Sequence, residues 1–264
     1  MELKILKNAQ PIKCQAVLDH YNEYKHTPTT FDTYTSTWRQ WLTTAQTHPK
    51  HNQLYGLELF NCVDYIQGTS QAFDHFVLRH SKTRTIAVMP GEFQYHTCIS
   101  KYQAIEKIDT KFSNLRADHA LIISMPFSGT GNIYPDFYQL LERCSDLGVP
   151  VCLDLAYWGI SKNMVLYLQN YPCIKEVVSS LSKPFPMLAQ HRIGVRFSRE
   201  YLDDGISMIN ETKMQNIYSM SLGVYFMNRF SSDFIWTHFG EKYQKDICEH
   251  FVFDATQTII RSEE

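Results

Sequence analysis

The chain has 264 residues, with 25 Lys and Arg against 27 Asp and Glu, which gives a formal net charge of −2. Hydrophobic residues make up 44% of it and charged residues 20%, a composition that excludes a disordered or collagen-like chain. The near-neutral charge argues against a general nucleic-acid binder, because such proteins need an excess of cations to neutralise phosphates. The length suits one large domain, alone or with a small annex.

No targeting, membrane or metal-binding segment is predicted. The first residues lack the apolar stretch of a signal peptide, and no run is apolar enough to cross a bilayer. Seven cysteines occur without a C-x-x-C pair, and the eleven histidines show no zinc-binding spacing. We therefore expect buried thiols at Cys62, Cys144 and Cys152, no metal, and a cytoplasmic location.

The first 53 residues are polar and predict an N-terminal helical segment without strands. Its clearest pattern is an aromatic-rich helix face formed by Trp38, Trp41, Leu42 and Ala45. This face is expected either to pack in the core or to contact a second subunit.

Residues 54–200 predict a large α/β domain. Short apolar runs recur there, several of them continuously apolar, as in strands covered on both faces. Helical patterns lie between some of the runs, and Pro135 and Gly148 mark the start and end of one helix. This alternation predicts a three-layer α/β/α domain with a mainly parallel seven-stranded sheet. The strands are expected at Val63–Ile66, Thr85–Met89, Ile105–Ile108, Ala120–Met125, Pro150–Asp154, Ile174–Ser179 and Ile193–Phe197.

Residues 201–264 predict a largely helical C-terminal segment. We expect helix from Glu211 to Ile247, with one face formed by Met214, Ile217, Tyr218 and Ser221. Two small strands are expected at 251–253 and 258–260.

Polar residues follow several predicted strands, at the edge where open α/β sheets bind ligands. Gly68-Thr69-Ser70 opens a helix whose N–H groups can hold a phosphate, although either hydroxyl can simply cap the helix. Asp154 ends a strand, where it can pair with a cationic ring nitrogen or cap the next turn. Lys183 follows the small hydroxyl residues of 180–182, a setting that suits a Schiff base better than a surface lysine.

In their order and spacing, these blocks resemble the fold-type I pyridoxal-phosphate-dependent enzymes, and above all the class I/II aminotransferases. The resemblance covers residues 63–197 and rests on the blocks Gly68-Thr69-Ser70, Pro126-Phe127-Ser128-Gly129-Thr130-Gly131, Asp154-Leu155-Ala156-Tyr157, Ser180-Leu181-Ser182-Lys183 and Arg192-Ile193-Gly194. The Gly-Thr-Gly of the second block lacks the full dinucleotide fingerprint, which argues against a nucleotide-dependent reductase.

The resemblance implies a pyridoxal 5′-phosphate cofactor and gives roles to three residues. Lys183 would form the Schiff base and move a proton during the reaction. Asp154 would face the pyridine nitrogen and keep it protonated, so that the ring accepts electrons. Tyr157 would hydrogen-bond the ring oxygen O3′.

Further residues are implied as cofactor contacts. Thr69, Ser70, Ser180 and Arg192 would hold the phosphate. An aromatic ring should stack on the cofactor, and we favour Phe93 over Tyr95. Ser128 stands where the family commonly has an Asn bonded to O3′, so that contact is expected to be lost, water-mediated or shifted to Tyr157.

The function implied is transfer of an amino group between an amine or amino acid and a keto acid, in a homodimer. Two alternatives stay open: other chemistry on the same cofactor, such as decarboxylation or a lyase reaction, and a non-catalytic binding module. The small domain, which in the family carries a carboxylate-binding arginine, is expected to be reduced. Arg39, Arg229 and Arg261 are its candidate substitutes, although a surface arginine is the better interpretation of each.

Overall fold

The computed structural model describes residues 14–43 and 52–243, and all structural statements below concern these residues. The strands are β1 (Gln53–Tyr55), β2 (Cys62–Ile66), β3 (Thr85–Val88), β4 (Ile105–Lys107), β5 (His119–Ser124), β6 (Val151–Asp154), β7 (Val165–Tyr167), β8 (Ile174–Ser180) and β9 (Gly194–Ser198). The α-helices are α1 (Gln15–Glu23), α2 (Phe31–Thr43), α3 (Thr69–His80), α4 (Tyr95–Ile99), α5 (Phe137–Leu147), α6 (Gly205–Glu211), α7 (Ile217–Met227) and α8 (Phe234–Tyr243).

Seven strands form the main sheet in the order β2-β9-β8-β6-β5-β3-β4. Only β9 runs antiparallel to its neighbours, β2 and β8, and the other pairings are parallel. The mainly parallel seven-stranded sheet is therefore confirmed, and each predicted strand lies within one residue of its observed bounds.

Helices cover both faces of the sheet, because alternate residues of each strand point to opposite sides. On β5, Ala120 and Ile122 pack with Phe73 and Phe76 of α3. Leu121 and Ile123 of the same strand belong to the opposite core, which includes Trp38, Leu140 and Leu222 of α2, α5 and α7. This is the predicted three-layer α/β/α arrangement.

The aromatic face of α2 lies in the protein's own core. Trp38 and Trp41 are buried, α2 packs along α7, and the Trp41 indole N–H donates to the carbonyl of Phe230 at 2.8 Å. The alternative of a subunit contact through these two tryptophans is therefore wrong. Ala45 lies outside the described residues.

A small two-stranded sheet was not predicted. β1 pairs with β7 in parallel, and the rings of Tyr55 and Tyr167 stack with centroids 4.8 Å apart. β1 begins at Gln53, the last residue of the segment in which no strand was expected, and its three residues are too few to give a periodic signal.

The C-terminal helical pattern was predicted without its breaks. Helix α6 begins at Gly205, a turn follows it, and α7 begins only after Asn216, whose side chain accepts from the Ser219 N–H. Met214 therefore precedes α7 and is 71% exposed, so its predicted place on one helix face is wrong, whereas Ile217, Tyr218 and Ser221 do lie on α7. Residues 244–247, the two predicted C-terminal strands, Cys248 and Arg261 lie outside the described residues.

A buried cluster of ion pairs ties the antiparallel edge of the sheet to α3 and α6. The fully buried Arg196 guanidinium lies 2.7 Å from Asp64 and 2.6 Å from Asp204. Arg79 pairs with Asp204 and with Glu176 of β8. Such pairs are stable only while every partner is present, since a lone buried charge is costly.

None of the described helices is long and apolar enough to span a membrane. The six described cysteines are free thiols; Cys144 and Cys152 are buried as expected, whereas Cys62 is only half-buried.

Candidate functional site

A cavity of about 450 Å³ opens at the carboxyl ends of β5, β6 and β8, beside the beginning of α3. Pockets of this size commonly hold small ligands, and this edge is where open α/β sheets bind them. All nine residues that the sequence singles out line the cavity, namely Thr69, Ser70, Phe93, Ser128, Asp154, Tyr157, Ser180, Lys183 and Arg192. Residues far apart in sequence are thus brought together around one volume.

One end of the cavity is built to receive an anion. Thr69 and Ser70 are the first residues of α3, a helix of twelve residues, and Gly68 rather than a hydroxyl residue is its N-cap. The first N–H groups of a helix have no intrahelical partner and carry a partial positive charge. Arg192 adds a full positive charge at the same place. Its Nη2 donates to Ser70 Oγ at 2.9 Å.

Gly68 makes this arrangement sterically feasible. Its φ of 78° and ψ of 163° lie in a region that only glycine adopts readily. A Cβ atom on Gly68 would overlap the Arg192 guanidinium. Arg192 itself has a positive φ of 52°, and its Nε donates to the carbonyl of Gln67 at 3.2 Å. The close contact between Arg192 and the loop before α3 therefore depends on glycine at position 68.

The other end holds a buried carboxylate and a phenol. Burial raises the pKa of Asp154 to about 7, and the Glu92 charge adds to this shift. The Ala156 N–H, which donates to Asp154 at 2.9 Å, and the Lys183 charge act in the opposite direction. The Asp154 carboxylate would therefore gain from a cationic partner in the cavity. Burial, together with the Asp154 charge, raises the pKa of Tyr157 to about 12, so its hydroxyl stays protonated as a donor.

Lys183 supplies an amine beside the Tyr157 ring. It follows β8, and its Nζ lies 5.1 Å from the centroid of the Tyr157 ring. Burial lowers the pKa of this amine, while the Asp154 charge acts in the opposite direction. A desolvated lysine loses its proton more readily and becomes a better nucleophile. Beside it, the hydroxyls of Ser180 and Ser182 are hydrogen-bonded at 2.9 Å.

Both candidate aromatic residues line the cavity, with different surroundings. The Tyr95 hydroxyl donates to both oxygens of Asp74, at 2.7 and 2.9 Å, which fixes this ring to α3. Phe93 is 41% exposed and stacks beside Tyr95 with centroids 6.2 Å apart. An unfilled aromatic face beside the cavity is what a planar ligand needs.

Glu92 is a residue of the site that no sequence pattern indicated. Its Oε2 accepts from Ser128 Oγ at 2.8 Å, and its Oε1 accepts from the Ser124 N–H at 2.6 Å. Burial raises the pKa of Glu92, and these hydrogen bonds oppose the shift. Glu92 sits in a loop with no motif, and only the adjacency of β3 and β5 brings it to Ser124. Ser128 thus lines the cavity as predicted, but its hydroxyl is bound to a carboxylate.

Two of the three candidate carboxylate-binding arginines are engaged elsewhere. Arg39 donates to the carbonyls of Leu57 and Phe60. Arg229 lies over the Tyr225 ring, with its Cζ 3.5 Å from the centroid. Neither lines the cavity, so the structure places neither where it could bind the carboxylate of a ligand there. Arg261 is outside the described residues, and among those residues no cluster of three or more His, Cys, Asp or Glu is arranged to hold a metal ion.

Comparison with known proteins gives a clear result at the level of structure only. Neither a protein-family model nor a curated protein sequence matches the chain. Among solved structures, the PLP-bound C-S lyase from Staphylococcus hominis matches with a TM-score of 0.68 and 12% identity, over 92% of this chain and 69% of that one.

Two aminotransferases match in the same way. N-succinyldiaminopimelate aminotransferase from Mycobacterium tuberculosis gives a TM-score of 0.65 at 13% identity, over 92% of this chain and 71% of that one. The histidinol-phosphate aminotransferase from Clostridium acetobutylicum gives 0.63 at 13%, over 94% and 76%. The chain therefore has the fold of the fold-type I pyridoxal-phosphate-dependent enzymes, as its sequence predicted.

Proposed function

We propose that this protein is a pyridoxal-phosphate-dependent enzyme that transfers an amino group between an amine or amino acid and a keto acid. One observation carries the proposal: the nine residues chosen from the sequence line one cavity, which has an anion-binding end, a buried carboxylate and a desolvated lysine amine. The fold shared with aminotransferases supports it.

The cavity fits this cofactor on its own chemistry. A phosphate suits the N-terminus of α3 and the Arg192 guanidinium, which the absence of a side chain at Gly68 admits. Burial raises the pKa of Asp154, and a protonated ring nitrogen beside it would stabilise the ionised carboxylate. Phe93 presents an aromatic face for a flat ring.

When bound, the cofactor supplies an electrophilic carbonyl group and an electron-accepting ring. Thr69, Ser70, Ser180 and Arg192 would hold its phosphate, and Phe93 would stack on its ring. Asp154 would keep a proton on the ring nitrogen, and Tyr157 would donate a hydrogen bond to the ring oxygen. Ser128, which lines the same cavity, would be a second polar neighbour of that oxygen.

Lys183 would attach the cofactor through Nζ and, once free, accept a proton from the substrate Cα. Its lowered pKa suits both tasks, because each requires a neutral amine near neutral pH. While that proton moves, Asp154 would stabilise the protonated ring nitrogen and Tyr157 would keep its hydrogen bond to the ring oxygen.

A lyase reaction is the second candidate, favoured by the likeness to the C-S lyase. The two are separated by supplying the loaded protein with isotopically labelled amino donors, thioether amino acids and a panel of keto acids. Transfer of the labelled nitrogen to the keto acid supports the first proposal. Release of the nitrogen as ammonia, together with a thiol, supports the lyase. A protein that binds the cofactor and turns over neither class would be the non-catalytic module, and Lys183→Ala is the blank for every reaction.

Three further predictions stay proposals. We propose a homodimer, to be measured by light scattering on the purified protein. The cytoplasmic location also stays a prediction, as does the division of the chain into an N-terminal segment (1–53), a large domain (54–200) and a C-terminal segment (201–264).

A further inference from the structure

We propose that Glu92 is a positioning residue that fixes the Ser128 hydroxyl as a hydrogen-bond acceptor toward the bound cofactor. The inference rests on the proposed function and deepens it, since it concerns the protonation of the cofactor's ring hydroxyl rather than its binding. It starts from hydrogen bonds within the chain itself.

The direction of the Ser128 proton follows from its partner. An ionised carboxylate can only accept hydrogen bonds, and a serine hydroxyl has one proton to donate. Ser128 Oγ lies 2.8 Å from Glu92 Oε2, so that proton points to Glu92. A hydroxyl oxygen that donates its proton keeps two lone pairs, so Ser128, which lines the cavity, can also act as an acceptor.

The surrounding loops hold this direction in place. Ser124 ends β5, and both its N–H and its hydroxyl donate to Glu92. The Ser128 N–H donates back to Ser124 Oγ at 2.9 Å. Gly129 packs so closely on the carbonyl of Gly91 that a Cβ there would overlap it. The loops after β3 and β5 are therefore interlocked around the carboxylate.

A ring hydroxyl placed between Tyr157 and Ser128 would be polarised in one direction. Tyr157 has the high pKa of a donor, and Ser128 offers an acceptor. The ring oxygen would then accept from Tyr157 and donate to Ser128, and it would keep its own proton. A serine that donated instead would favour the ionised ring oxygen.

Other titratable groups also act on that oxygen. Asp154, Lys183 and Arg192 line the same cavity, and Tyr134 feels the Glu92 charge from the loop after residue 130. The test must therefore separate an effect through Ser128 from the plain effect of the Glu92 charge.

The experiment is a pH titration of the absorption spectrum of bound pyridoxal phosphate in Lys183→Ala, which forms no imine that could share the ring proton, and in the same protein carrying Ser128→Ala, Glu92→Gln or both changes (the double variant). The ionised ring hydroxyl absorbs at longer wavelength than the protonated one. In Ser128→Ala we expect the midpoint to fall, because the acceptor that favours the proton is gone. In Glu92→Gln we expect a fall of about one pH unit, a tenfold change in the equilibrium, because the amide can donate to Ser128 and release its proton toward the ring.

The double variant decides the mechanism, since a coupling through Ser128 leaves little extra effect of Glu92→Gln in the Ser128→Ala background. A midpoint that rises in Ser128→Ala would show that Ser128 is a donor, and this would overturn the inference. An undiminished effect of Glu92→Gln without Ser128 would also overturn it, by assigning the effect to charge alone. A wild type with no bound cofactor would overturn the proposed function itself, which is a distinct result.

Discussion

Gly68→Ala tests how the anion-binding end of the cavity is built. The substitution adds one methyl group at a position with φ 78° and ψ 163°, where that methyl would overlap the Arg192 guanidinium. The backbone conformation alone should cost about 1–3 kcal/mol of the free energy of unfolding. The overlap is relieved only if the guanidinium moves away from Ser70 and from the phosphate position.

The loss in cofactor affinity can be worked from the same contact. A hydrogen bond to a charged group is worth about 1.5–3 kcal/mol, and Arg192 is solvent-exposed, so we take the lower part of that range. At about 1.4 kcal/mol for each factor of ten, the Kd of pyridoxal phosphate should rise at least about tenfold. Pyridoxal, which has no phosphate, should bind Gly68→Ala and wild type nearly equally.

Gly148→Ala is the matched control. Gly148 also has a positive φ, of 66°, but a Cβ there would meet no atom within 4 Å. It should lower the free energy of unfolding by about 1 kcal/mol through backbone conformation alone. It should leave the affinity for both ligands unchanged, because it lies at the end of α5, away from the cavity.

Fluorescence titration gives both affinities, and urea unfolding gives both stabilities. If Gly68→Ala bound pyridoxal phosphate as tightly as wild type, the placement of the phosphate beside Arg192 would be refuted. An equal loss for pyridoxal and pyridoxal phosphate would refute it too, since the damage would not be specific to the phosphate.

Three further predictions concern charge. Burial raises the folded-state pKa of Asp154 from 3.8 to about 7, so the folded state holds that proton more tightly and wild-type stability falls as the pH rises between these values. The cofactor-free Asp154→Asn protein should therefore gain up to about 4 kcal/mol over wild type in urea unfolding at pH 8 and little at pH 4; an equal difference at both would contradict this. Arg196→Gln should lose about 3–5 kcal/mol, because it leaves the buried Asp64 without its ion-pair partner and leaves Asp204 paired with Arg79 only. Arg116→Gln on the exposed surface should change stability little, and comparable losses would refute the argument. Arg39→Gln should leave cofactor affinity unchanged while Arg192→Gln weakens it, and a reversed order would move the anion site elsewhere.

The main sheet was predictable because its central strands are buried on both faces. β5 and β6 are buried at every position, so each reads as an unbroken apolar run that few other structures produce. Helix α5 was marked by start and stop residues, and Gly148 indeed ends it with a positive φ. These signals are local, and the sequence contains all of them.

The parts that were missed depend on contacts or on breaks. β1 and β7 are strands only because they pair with each other, and neither has a pattern of its own. The turn between α6 and α7 holds Lys213 at a positive φ of 57°, a conformation for which a lysine gives no warning. The apolar periodicity continued across this turn, and Met214 was therefore wrongly predicted to share a helix face with residues of α7.

The candidate site divides in the same way. Asp154, Lys183 and Arg192 could be chosen because each belongs to a block with a recognisable order. Glu92 could not, because its importance comes from Ser124 and Ser128, which the sheet places next to it. Arg39 shows the converse: it is a cation with a conceivable role in the site, yet the structure commits it to backbone carbonyls.

The most direct test of the central claim is to identify the atom that holds the cofactor. The protein is loaded with pyridoxal phosphate, reduced with borohydride, digested and analysed by mass spectrometry, beside Lys183→Ala and Lys175→Ala, a matched change of a lysine that does not line the cavity. We predict the phosphopyridoxyl mass on the peptide that contains Lys183, present in Lys175→Ala and absent in Lys183→Ala. Labelling spread over surface lysines, or retained in Lys183→Ala, would contradict the account.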